Sequence, residues 1–397
     1  MGGNLLASPD VRRLWLAGAS ANAMRWIEVL VTGVFAWEAT GSAFVVSLVL
    51  VSRSVPMFLL GAVAGAVAEV LDRRRLLLGA YAVCGALAVL MAVLAALGAL
   101  RVWHLALVIF VGGLAWTVDL AARRRMLAEA AGSADAVRAV ALDTTTGATT
   151  RMVGPIAGGL LLQFLGLAPA FLLTAVFYAV AFVLVLGVRV PQARTTRRAA
   201  ILAGVAEGAR IAMAHRSLRV VILVTLAMNV FAFSYNAVLP AFGAEVFAVG
   251  AVGVGLLAAA EPAGALIGGV LLAMRRGAPL GAGWMLAGSV FFCLGLSLAA
   301  LSPVYLLALL LIVIGGLGSA LFGALQTGLV VTEAPPETRS RVLGLVTTCI
   351  GASPFGVLTV GALADAFGPA LAIKIMATLA LLSLALIWRF AWKPKAR

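Results

Sequence analysis

The sequence predicts an all-α membrane protein, with twelve transmembrane helices arranged as two pseudo-symmetric six-helix bundles. Three observations predict it. Hydrophobic residues make up 63% of the 397 and charged residues 11%, with a mean hydropathy of +1.13. A soluble domain of this size needs a charged exterior that such a composition does not supply. The apolar residues fall in runs of about twenty, long enough to cross a hydrocarbon core of about 30 Å as helices. Finally, Arg13, Gly61, Gly65, Arg73 and Arg138 recur 203 residues later as Arg216, Gly264, Gly268, Arg276 and Arg341. An interval of about half the chain marks two like halves.

The spans follow in order. Span 1, 14–37, starts after Arg12 and Arg13. Span 2, 43–70, runs to the cluster Asp72-Arg73-Arg74-Arg75, and span 3, 76–99, leaves it. Span 4, 102–122, ends at Arg123-Arg124-Arg125. Span 5, 138–164, is glycine-rich, and span 6, 168–188, closes the first half. The long connection 189–218 joins the halves. Its Arg197, Arg198, Glu207, Arg210 and Arg216 alternate with Ile201, Leu202, Val205 and Ile211, the pattern of an amphipathic helix on the inner leaflet. The second half repeats the plan as 219–243, 249–273, 280–301, 304–330, 342–365 and 369–391. The domains are thus 1–188, a cytoplasmic amphipathic linker 189–218, and 219–397.

Charge sets the orientation. With the N-terminus in the cytoplasm, 24 of the 29 basic residues fall on the inner side, so the positive-inside rule places both termini there. Arg101 and Lys374 fall near the outer side; Arg25, Arg53 and Arg151 fall within spans. The net charge of +14 does not point to nucleic acid, because the basic residues sit in short clusters between apolar runs. Cys84, Cys293 and Cys349 are far apart inside apolar segments, and His104 and His215 are isolated. Neither a metal site nor a disulfide framework follows, and no cofactor is expected. The short polar start lacks a cleavable signal pattern, so the first span is expected to be retained.

Two motifs stand out. The loop between spans 2 and 3 reads Gly65-Ala-Val-Ala-Glu69-Val-Leu-Asp72-Arg73-Arg74-Arg75, and span 5 reads Arg151-Met-Val-Gly154-Pro155-Ile-Ala-Gly158-Gly159. With Thr40-Gly41-Ser42 and Gly361-Ala-Leu-Ala-Asp365, they make the chain resemble the major facilitator superfamily, in the bacterial drug and metabolite exporter branch of enterobactin exporters and macrolide efflux proteins. The signature Asp is here Glu69, and the Arg that usually follows is Val70. The resemblance implies a gating latch in which Glu69 and Arg73 hold one conformation, with Asp119 of span 4 as the partner of Arg73. It implies that the span 5 motif packs near the interface between halves. There the glycines remove side chains from one helix face, and Pro155 weakens one backbone hydrogen bond. Spans 1 and 7 are implied to line a central cavity.

Polar residues at membrane depth are costly and mark pathways. In span 1, Asn22, Arg25, Glu28 and Thr32 share one helical stripe, and Arg25 and Glu28 can pair. One reading couples them: Arg25 is released when Glu28 takes a proton. In span 7, Thr225, Asn229 and Asn236 share a stripe, with Phe233 between and Tyr235 beside it. Glu261, followed by Pro262, lies mid-span 8, where burial penalises its charged form and suits it to carry a proton. Arg53, Asp143, Arg151 and Gln326 complete the set. These charges break the repeat: Arg25 and Glu28 map to Met228 and Phe231, and Glu261 maps back to Phe58.

The expected function is secondary active efflux of a small amphipathic molecule, with protons as the coupled ion, membrane lipids as surroundings and a monomer as the working form. Direction and coupling come from the resemblance. Uptake and lysophospholipid flipping on the same fold are the alternatives. A membrane enzyme would need a His-Asp or Cys-His constellation, which two isolated histidines do not make. A transport-dead scaffold would be expected to carry a soluble domain.

Overall fold

The first helix starts where the sequence provides a stop and a start signal. Ser8 precedes Pro9, whose missing N–H costs nothing at a first helical position, and Asp10 complements the helix dipole. That helix, α1, runs Pro9–Thr40 and ends at Gly41, whose φ of 61° is the left-handed turn a helix terminus favours. The computed structural model describes residues 5–56, 72–189, 209–275, 280–335 and 338–392. Gly65 and Glu69 of the loop motif, and most of the linker 189–218, lie outside the described residues.

The remaining helices are α2 (Ala43–Ser52), α3 (Arg73–Ala96), α4 (Val102–Leu165), α5 (Leu167–Leu186), α6 (Arg216–Ala227), α7 (Leu239–Phe247), α8 (Ala251–Met274), α9 (Ala282–Leu301), α10 (Tyr305–Glu333), α11 (Arg339–Ile350), α12 (Ser353–Phe367) and α13 (Pro369–Ile387). Among the described residues every regular element is helical. Nine helical stretches among them are long and apolar enough to cross a membrane. Neither α1 nor the second half of α4 is among the nine. Both carry charged and hydroxyl residues at depth, such as Arg25 and Glu28, or Asp143 and Arg151.

Three elements differ from the sequence expectation. Spans 4 and 5 meet without a loop: two helical arms, together labelled α4, join at a kink at Gly132, where φ 74° and ψ 165° lie in a region open to glycine alone. The basic stretch expected as a loop is therefore helical. Span 7 is not a uniform helix: α6 passes into a π-helical turn at Met228–Ala232, then a 3-10 stretch at Phe233–Val238, then α7. Span 11 is split into α11 and α12 by a break at Gly351 and Ala352, with Pro354 in the first turn of α12.

The chain forms two compact units. The first comprises Met1–Ala39, Val49–Arg198 and Gly250–Gly255; the second comprises Thr40–Leu48, Ala199–Val249 and Leu256–Arg397. In the first, α3 packs on α5 and α4 around Leu14, Leu77, Tyr81, Phe171 and Tyr178. In the second, α9 packs on α10 and α13. Gly264 and Gly316 let α8 and α10 approach so closely that a Cβ at either would collide with facing backbone. Large apolar side chains such as Val183, Phe164, Leu271 and Leu306 remain exposed on outer helix faces. Helices apolar on both inner and outer faces belong in lipid.

Candidate functional site

The polar stripe of α1 opens into a cavity inside the first unit. Asn22, Arg25 and Glu28, spaced three apart on one helix face, line it together with Arg53, Tyr81, Trp116, Asp119 and Tyr178. Thr32, the fourth residue of the stripe, is buried but not among the lining. The cavity encloses about 30 Å3.

Its chief feature is a stack of cations and indoles. The Arg25 guanidinium carbon lies 4.3 Å from the Trp116 ring centre and 5.0 Å from that of Trp26. The Arg53 carbon lies 5.3 Å from Trp26 and 5.7 Å from Trp116. Arg151 adds a third guanidinium 5.8 Å from Trp26. These distances are within reach of cation–π attraction. Arg25 Nε and Nη1 are buried and meet no acceptor among the described residues.

Arg25 and Glu28 do not form the expected pair. Glu28 accepts a hydrogen bond from the Tyr178 hydroxyl at 3.4 Å, and Arg53 acts on it electrostatically. The physical reason is rotamer direction. A three-residue spacing permits contact, but the guanidinium of Arg25 is turned to the Trp116 and Trp26 rings and away from its helix neighbour.

Arg73 does not meet Asp119. Its Nη1 donates to both oxygens of Glu129 at 2.9 Å. Asp119 instead accepts from Arg123 Nε at 2.8 Å and from the Tyr81 hydroxyl. Arg123 continues to Asp143 at 2.6 Å, and Arg124 Nε reaches the other Asp143 oxygen at 2.9 Å. Arg123 is 1% exposed, so it is the buried centre of a charge network. Sequence reading treated it as one basic residue in a cluster. Its four-residue spacing from Asp119 was the available signal. Asp143 thus meets two arginines. Asp72 caps α3 by accepting from the Arg75 amide at 3.1 Å, and Arg74 donates to the carbonyls of Val185 and Leu186 at the end of α5.

The span 5 motif packs. A Cβ on Gly154 would lie 2.5 Å from Trp26 Cβ, one on Gly158 would crowd Ile27, and one on Gly159 would meet Ala251. The Pro155 carbonyl faces Gly255. Gly154 thereby holds Trp26 in place beside Arg25, linking the motif to the cavity.

The other expected residues belong to the second unit. Glu261 is 1% exposed and accepts from the Ser319 hydroxyl. Gln326 donates to Thr225 Oγ1 at 3.0 Å, and Asn229 to the Thr225 carbonyl at 2.9 Å. Asn236 donates to the Phe233 carbonyl at 3.2 Å. Tyr235 is buried beside Phe292, with ring centres 6.2 Å apart. The π turn and 3-10 stretch change the residues per turn between Asn229 and Asn236, while Asn229 stays on the face of Thr225, whose carbonyl it meets. Among the described residues no cluster of His, Cys, Asp and Glu suits a metal.

Known proteins resemble the chain along its length. A family model described as "Transmembrane secretion effector" matches residues 5–396. The multidrug efflux pump Tap of Mycolicibacterium fortuitum is 27% identical over 363 residues, covering 84% of this chain and 85% of that one. Tap of Mycobacterium tuberculosis is 28% identical over 359 residues, covering 84% and 83%. Among solved structures, the nucleoside transporter NupG superposes with a TM-score of 0.73 at 14% identity over 99% of this chain and 100% of that one. A bacterial homologue of the human lysosomal transporter Spinster gives 0.72 at 15% identity over 97% and 99%. At such identities the structures speak for the fold alone.

Proposed function

The chain belongs to the transmembrane secretion effector family of the major facilitator superfamily, and from that premise we propose that it is a proton-coupled exporter of small amphipathic molecules working by alternating access. In this reading twelve spans form two six-helix bundles, 1–188 and 219–397, joined by the amphipathic linker 189–218. It sits in the bacterial inner membrane with both termini cytoplasmic, and works as a monomer.

The observation that carries the coupling is a pair of buried carboxyls, one per unit, each accepting from a hydroxyl. Glu28 accepts from Tyr178 and Glu261 from Ser319. Carboxyls held at membrane depth are costly and mark proton or substrate pathways. The multidrug pumps among its relatives support export and a broad substrate range. The contacts of Asp72, Arg73, Arg74, Glu129, Asp119 and Arg123 support a gating role for the inner end of α3 and the stretch of α4 that leads to Gly132. Asn22, Arg25, Arg53, Asn229, Tyr235, Asn236 and Gln326 are proposed to line the pathway with the two acids.

The test is flux in proteoliposomes carrying the purified protein and an imposed pH gradient, with a panel of cationic, neutral and anionic amphipathic compounds. At least one compound should move faster with the gradient than without. Glu28→Gln or Glu261→Gln should abolish that difference while leaving gradient-independent exchange. Flux of every compound indifferent to the gradient would overturn the coupling.

A further inference from the structure

We propose that the cavity of the first unit is an anion site, which takes the carboxylate or similar oxyanion of a substrate whose remainder is planar and apolar. The proposal rests on the transport reading above and gives it a substrate class.

Two guanidiniums, Arg25 and Arg53, face the same two indoles and repel each other. Arg25 Nε and Nη1 are buried without an acceptor among the described residues. Buried donors in native proteins are nearly always satisfied, so unsatisfied ones in a cavity point to a group that arrives from outside. Cation–π contact offsets part of the burial cost but accepts no hydrogen bond. An oxyanion does both: it accepts from the free nitrogens and offsets the repulsion between the two cations. The nearby acids do not fill this place. Asp119 is engaged by Arg123 and Tyr81, and Glu28 by Tyr178.

Size narrows the ligand further. About 30 Å3 is more than the roughly 10–15 Å3 that a single water needs, which is room for a carboxylate head. Indole faces favour a flat ring next to the head.

The experiment is equilibrium dialysis of the full-length protein in nanodiscs against radiolabelled 1-naphthoate, with 1-naphthylmethylammonium as a cation of the same shape. The wild type should bind naphthoate saturably and prefer it over the cation by at least about tenfold, the scale of one charge-assisted hydrogen bond. Arg25→Gln and Arg53→Gln should each lose most of that preference, and Arg25→Lys should keep part. Equal binding of the two probes by the wild type would overturn the proposal, whether or not a variant folds. So would naphthoate binding unchanged in both glutamine variants. Gradient-driven flux of a cation with no naphthoate preference sinks the anion site and leaves transport standing. Naphthoate binding with no flux of any compound does the reverse.

Discussion

Arg123 shows how much a single buried charge can organise. Its guanidinium joins Asp119 on its own helix turn to Asp143 some twenty residues on, past the break at Gly132. It also lies against Gly18, where a Cβ would collide with it. The network thereby fixes how α1 meets both arms of α4. Removing the cation would leave buried Asp119 with only the Tyr81 hydroxyl and Asp143 with only Arg124. Arg123→Met is therefore expected to cost about 3–5 kcal/mol, read as a lower unfolding temperature of the purified protein in detergent. Arg123→Lys should recover only part, because an ammonium lacks the fork that reaches two carboxylates at once. An unchanged melting temperature in Arg123→Met would remove the network from the account of stability. The sequence made Asp119 and Asp143 visible as buried acids. It hid Arg123 inside a triple arginine, because the positive-inside rule explains such a run without asking which member turns inward.

Among the elements, α2 shows what one distant side chain does for a helix start. Its first amides have no intrahelical partners. Asp365, near the end of α12, accepts from the amides of Ala43 at 2.6 Å and Phe44 at 3.2 Å, and from the Ser42 hydroxyl at 2.6 Å. Gly361, one turn earlier on α12, lets Ser47 approach where a Cβ would clash. Both pieces lie in the second unit. Asp365→Ala should cost about 0.5–2 kcal/mol, as loss of a cap does, and Asp365→Asn less, because its carbonyl still accepts from an amide. Thermal unfolding of the two variants checks the order. A capping residue next to its own helix has a local pattern, as Asp72 before α3 does. A cap supplied from 322 residues away has no local pattern. The π turn in span 7 was illegible for a related reason: a stripe of polar residues assumes a constant twist, and tertiary packing set the twist.

For the whole molecule, the charge distribution predicts sidedness. The three native cysteines are buried, which gives a silent background for labelling. Leu97 lies in the loop after α3 and is 73% exposed, and the Arg75 side chain at the other end of α3 is 87% exposed. A membrane-impermeant maleimide added to intact cells should label Leu97→Cys. It should label Arg75→Cys only after permeabilisation. The opposite pattern would invert the topology. Composition and hydropathy determined by themselves that this is a helical membrane protein, because lipid admits few solutions for a backbone that must satisfy its own hydrogen bonds. The buried charges were equally legible as exceptions to that apolar pattern. The tertiary structure alone decided their partners: Arg25 on two indoles instead of Glu28, Arg73 on Glu129 instead of Asp119, and Arg123 between two aspartates. A charge at depth must find some compensation, and the sequence announces that need. Which group compensates it depends on helix packing and rotamer direction, which are properties of the fold.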